Sequence, residues 1–82
     1  MKKSKYKFKY KYMINEKTIH INDISRISYG IDIFDDTYGK MILLLKIYDI
    51  STDKDKVEGL ISSCNTLNAS PAHIFEIIED IL

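Results

Sequence analysis

A single cysteine, a single proline, three glycines and two histidines leave this 82-residue sequence short of most residues that mark a chemistry. Cys64 alone can form neither an internal disulfide nor a multi-thiolate zinc site. A lone thiol suits a reducing compartment, so cytoplasm is the expected location. The longest strictly apolar run, Met41 to Leu45, falls far short of the roughly 20 residues of a membrane span. The basic start leads into alternating lysine and tyrosine rather than an apolar segment, so no secretory signal is expected. No Gly-rich phosphate loop and no Gly-x-Ser-x-Gly element is present. His20 and His73 lie far apart, outside any H-x-x-x-H or Cys/His array.

A chain of this size buries about 60–65 % of its unfolded surface and keeps a net stability on the order of 5 kcal/mol. One small domain, residues 1–82, is expected, with little room for a deep catalytic cleft. Self-association is a natural supplement to so small a core. There is no internal repeat and no low-complexity linker.

What the sequence does have is concentrated at its start. In KYKFKYKY, residues 5–12, lysine occupies the odd positions and Tyr6, Phe8, Tyr10 and Tyr12 the even ones. Period two places the two residue types on opposite faces of a strand. The formal charge is zero, yet residues 1–17 carry seven Lys against Glu16, and residues 18–82 carry five Lys/Arg against eleven Asp/Glu. That split implies either an anionic partner for the basic end or pairing of the two halves within or between subunits. The richness in Ile, Lys, Asn, Asp and Tyr suggests an AT-rich genome, bacterial or phage.

The alternation predicts a first strand of about ten residues, and Asn15 to Lys17 reads as the turn that ends it. Thr18 to Ile21 starts a second strand. After an interruption at Asn22-Asp23 it continues through Ile27, Tyr29, Ile31 and Ile33, whose β-branched side chains favour a half-buried face. Asp35, Asp36 and Gly39 then supply a turn. Because Met41 to Leu45 is apolar on both faces, KMILLLKIYDI reads as a central strand covered on both sides, antiparallel to its predecessor. Val57, Leu60, Ile61, Cys64 and Leu67 recur at helical spacing, with Ser51, Thr52 or Asp53 as cap; a strand from Val57 to Ser62 is the rival. Ser70 at the N-cap and Pro71 at N1 open a last helix whose Ile74, Ile77, Ile78 and Ile81 share a face widened by Phe75 and Leu82.

The expected fold is therefore α+β: an antiparallel meander of three or four strands (about residues 3–50) followed by one or two C-terminal helices (about 54–67 and 70–82) packed on one face. The alternative is a small half-barrel that resembles pleckstrin-homology-like domains, with a single C-terminal helix.

Three uses of the opening ribbon compete. Lys3, Lys5, Lys7, Lys9 and Lys11 could neutralise an anionic partner such as nucleic acid, and aromatic rings could stack bases. The two sets lie on opposite faces, however, so rings that join the core leave electrostatics alone. A solvated lysine face guarding a sheet edge is the plainer reading. Tyr6, Phe8, Tyr10 and Tyr12 also suit an interface, where a ring is buried and its hydroxyl finds a partner. The basic strand could then pack beside Glu76, Glu79 and Asp80, within or between subunits.

Signals for chemistry are weak. His73 with Glu76, and His20 with Asp23, sit three apart, a spacing more often met on solvated surfaces than at metals. Asp49, Ser51, Asp53 and Asp55 match the start of a calcium loop. Lys54 then stands where the loop needs glycine, and Leu60 where it needs glutamate. Cys64 with a histidine could form a nucleophile–base pair, but it lies on the apolar helix face, where thiols are usually inert. No catalytic, cofactor or metal residue is assigned. The expectation is a non-enzymatic protein-interaction module that self-associates, or a regulator or inhibitor docking on another protein, as a phage or mobile-element accessory protein would. A weak, nonspecific nucleic-acid binder is the alternative.

Overall fold

A computed structural model describes residues 8–81, excepting the side chain of Ile81. Lys3, Lys5, Tyr6 and Lys7 of the expected first strand, and Leu82, lie outside the described residues. Three strands, β1 (Tyr10–Ile21), β2 (Ile24–Asp35) and β3 (Ile42–Ser51), form one open antiparallel sheet in the order β1-β2-β3. Helix α1 (Lys54–Leu67), a 3₁₀ turn (Pro71–His73) and helix α2 (Ile74–Ile81) follow. This is the expected α+β meander with two C-terminal helices. The half-barrel alternative does not form, because three strands leave the sheet open and two helices follow it.

The expected turn at Asn15–Lys17 is instead strand: β1 runs straight through it, with Asn15, Glu16 and Lys17 paired to Gly30, Tyr29 and Ser28. The chain reverses at Asn22-Asp23, where φ is 50° and 65°. Two consecutive left-handed residues make the type I′ turn that matches the twist of a hairpin, and Asn and Asp tolerate that conformation. Register decides between the two sites. A turn there sets Tyr12 opposite Ile33 and Ile14 opposite Ile31, so the apolar residues share one face.

The central strand is β2, not the apolar run of β3. β3 lies at an edge, and Met41, Ile42, Leu43 and Leu44 are 43–54 % exposed. Among the described residues there is one helical layer, which leaves one sheet face and one edge uncovered. On the covered side Tyr12, Ile31 and Ile33 meet Val57, Leu60 and Cys64 of α1 and Ile74 and Ile78 of α2. Tyr10, Ile14, Tyr29, Leu45 and Ile47 complete the core from the sheet. Leu67 and Phe75, expected in the helical stripes, are exposed.

Helix α1 forms as its periodicity predicts. The Asp53 side chain caps it by accepting from the Lys56 N–H at 3.3 Å, and left-handed Asn68 closes it. Likewise Ser70 caps the 3₁₀ turn, accepting from Ala72 N–H at 3.3 Å ahead of α2.

Tyr12 ties the layers together. Its ring is 1 % exposed and its hydroxyl donates to the Ala69 carbonyl at 2.6 Å. Burial is the largest cause of a phenol pKa pushed up from 10.0 to about 12. Burial also raises the Cys64 thiol beneath it. Between those pH values the folded protein keeps a proton that the unfolded chain has released. The contribution is thus complete below pH 10 and is lost as pH rises toward about 12. Melting followed by circular dichroism should fall steeply over this range, and Tyr12→Phe should flatten the fall. An equally steep loss in Tyr12→Phe would show that another group carries it.

Candidate interaction surface

Side chains of directly paired residues project to the same face, so the register lays out the side of the sheet away from the helices. One row holds Lys11, Phe34 and Leu43, and the next holds Met13, Asp32 and Lys46. Tyr48 lies beyond them, with Lys17 Nζ 5.4 Å and Lys46 Nζ 5.6 Å from its ring centroid. Lys46 pairs with Asp32 at 3.1 Å, and Lys9 with Asp36 at 3.9 Å. Met13, Leu43 and Tyr48 are exposed. The open face is thus an apolar diagonal with lysines and carboxylates around it.

A two-stranded arm extends this surface. From Thr18–Ile27 to Ile21–Ile24 the β1–β2 hairpin has no β3 partner, and Ile21 and Ile24 are exposed on its open side. The arm contributes to a molecule 62 Å long and 25 Å across.

The two sheet edges are treated differently. Along β1, Asn65 of α1 accepts from Tyr12 N–H at 2.8 Å and donates to the Tyr12 carbonyl at 2.9 Å. Asn68 accepts from Tyr10 N–H at 2.9 Å and donates to the Phe8 carbonyl at 2.8 Å. Two carboxamides, one in the last turn of α1 and one at its C-cap, thereby stand in for a neighbouring strand. Among the described residues no strand or side-chain clamp of this kind lies on the outer edge of β3.

A wide bulge shapes β3. Tyr29 pairs with Ser51 but Ile31 with Ile47, so β3 carries two extra residues there. Asp49 takes up the excess with φ 60°, and Ser28 Oγ donates to its carboxylate. Gly30 lies beneath, and Asn15 Nδ2 donates to the Ile47 carbonyl at 3.2 Å and to Asp32 at 2.7 Å.

The ribbon residues divide. Tyr12 belongs to this chain's own core, Tyr10 packs at its margin, and Phe8 is exposed and stacked on Tyr10 with centroids 6.3 Å apart. Lys9 and Lys11 project to the open face, while Tyr6, Lys3, Lys5 and Lys7 lie outside the described residues. Among the described residues Lys9 pairs with Asp36, and His73 Nδ1 lies 3.6 Å from Glu76.

His20 Nδ1 sits 3.1 Å from Ser25 Oγ at the arm. The Asp49–Asp55 stretch supplies the bulge and the helix cap, with Ser51 Oγ accepting from Asp53 N–H at 3.0 Å. Among the described residues no three His, Cys, Asp or Glu side chains converge on a metal position. No helix among them is long and apolar enough to cross a membrane. Sequence reasoning missed Asn65, Asn68 and Gly30. The Asn-x-x-Asn spacing becomes meaningful only once α1 is known to lie along β1.

Fold and surface together define a small α+β sheet protein with one face covered by helices and the other open. The chain belongs to a family of unknown function, DUF6514, whose pattern matches residues 1–82. No curated protein and no solved structure matches it.

Proposed function

We propose that this protein is a non-enzymatic interaction module that associates with itself and acts in a reducing compartment such as the cytoplasm. The observation that carries the reading is the uncovered apolar surface of the sheet, with Met13, Leu43, Leu44 and Tyr48 each at least 43 % exposed. Contiguous apolar surface on so small a protein marks a contact site more often than chance exposure. The lysines and carboxylates around it resemble the polar rim of an interface. The same surface suits a regulator that docks on another protein.

The nucleophile–base alternative loses support from the burial of Cys64, which pushes its thiol pKa up and disfavours the thiolate. Light scattering coupled to gel filtration tests the main reading. The mass should be that of a dimer at high concentration and fall on dilution. A monomer at every concentration would remove self-association.

A second reading, nonspecific nucleic-acid binding, is favoured by one observation. Neighbouring strands bring Phe34 and Tyr48 onto the face that holds Lys11, Lys17 and Lys46, so rings and cations do share a surface. Asp32 and Asp36 neutralise part of that charge. Binding of this kind falls steeply with salt, and salt-insensitive or absent binding would remove it.

A further inference from the structure

The most unusual apolar feature is not the open face alone but the edge beside it. Sheet edges are commonly guarded by charge, proline or a covering element. β1 is covered by the carboxamides of Asn65 and Asn68. Met41 and the first four residues of β3, Ile42 to Leu45, form a run of five without a charge on an edge that no described strand covers.

Resting on the self-association proposed above, we infer that a second copy of this chain docks on β3 edge to edge and antiparallel, across a two-fold axis between Leu43 and Leu44. The pairing continues the two three-stranded sheets into one of six strands.

Self-complementarity selects a second copy as the occupant. About that axis Ile42 opposes Leu45 of the other copy, and both project to the helix-covered side, as their partners Asp35 and Ile33 show. Met41 opposes Lys46, and both fall on the open side. Leu43 and Leu44 lie within the irregularity facing Phe34 and oppose each other. Every pair therefore matches in face, and no lysine opposes a lysine, because Lys40 meets Ile47. Shifting the axis onto Leu43 would set Lys40 against Lys46, placing like charges opposite each other.

The apolar area is that of a small interface. Met41, Ile42, Leu43, Leu44 and Tyr48, each 43–54 % exposed, sum to on the order of 400 Å², at the scale of the largest patch on a typical monomer. A standard interface takes roughly 800 Å² per partner. Edge pairing on this smaller area fits a moderate, concentration-dependent dimer.

Met41 provides a register-specific test, because it precedes the strand and is 43 % exposed, so substitution there leaves the core untouched. Dissociation constants are measured by sedimentation from about 1 µM to 100 µM, a range that spans a moderate dimer. Met41→Lys places two like-charge pairs across the two-fold axis and should weaken the dimer about five- to thirtyfold. Met41→Glu faces Lys46 of the other copy and should tighten it. Leu43→Lys should leave a monomer, with a melting curve confirming the fold. Leu67→Lys, on an exposed position at the end of α1, should change nothing.

Changes of the same sign in Met41→Lys and Met41→Glu, or none in either, would overturn edge pairing. If the dimer instead resists all β3 substitutions and is lost in Met13→Lys, edge pairing is wrong and self-association through the open face stands. A wild-type chain that is monomeric throughout overturns both.

Discussion

Gly30→Ala should lower stability by about 3 kcal/mol or more, because there is no room for a β-carbon. Built at Gly30, it would sit 2.0 Å from the Ile47 carbonyl oxygen, 2.7 Å from Asn15 Oδ1 and 2.9 Å from the Tyr48 α-carbon. Two of the three are backbone, so no rotamer change relieves the overlap. The bulge that brings Ile47 over Gly30 is itself held by Ser28 on Asp49 and by Asn15 on Ile47, so it cannot lift without breaking those bonds. For a domain of this size each kcal/mol moves melting by about 4–8 °C, so a fall of more than about 12 °C is expected. Gly59→Ala is the contrasting change. It lies in α1 with nothing within 4 Å, and should stabilise by about 0.5–1 kcal/mol. Urea unfolding of both variants measures the difference. Equal midpoints would mean that β3 does not fold over Gly30 as described.

The second large effect is expected at Asn65. Its carboxamide both accepts from and donates to Tyr12 at the sheet edge, beside a ring that is 1 % exposed. Asn65→Ala removes two hydrogen bonds and leaves an N–H and a carbonyl of β1 to find other partners, at a cost of about 2–4 kcal/mol. Asn68→Ala removes the equivalent pair from Tyr10 and Phe8 where solvent can substitute, so its cost should be smaller. The double variant has a further consequence: it reopens the β1 edge, and an unguarded edge recruits other strands. Denaturation measures the first effect, and light scattering on standing measures the second. If Asn65→Ala behaves as an ordinary surface substitution, within about 0.5 kcal/mol, the edge does not depend on this clamp.

Much of the architecture is legible in the sequence. The period-two alternation through Tyr12, the odd-numbered face of Ile31 and Ile33, and the helical spacing of Val57, Leu60 and Cys64 each name an element and its buried side. Ser70-Pro71 marks the start of the last helical segment. These signals are local, because each depends on residues within a turn or a few strand positions of one another. The misreading of Asn15–Lys17 as a turn has the same origin. Asn, Glu and Lys are common in turns, and nothing local reveals that Asn15 will lie across from Gly30 and reach the Ile47 carbonyl.

The exposed apolar surface is less legible. The aromatic ribbon drew attention to Tyr12, which the fold keeps for its own core, while the exposed apolar residues come from β3, whose composition reads as core. Apolar content tells that a strand can be buried; it does not tell how many layers are available to bury it. Likewise, opposite faces for lysine and ring hold along one strand, whereas Phe34 and Tyr48 reach the lysine face from the adjacent strands.

By itself, then, the sequence determined an α+β order of strands followed by helices and the apolar side of β1, β2 and α1, because these follow from short-range periodicity and composition. Tertiary structure alone decided which strand is central, which edge Asn65 and Asn68 close, where the chain folds over Gly30, and which apolar residues remain open. Those outcomes depend on contacts between residues tens of positions apart, and on the fact that one helical layer can cover only one face of a sheet.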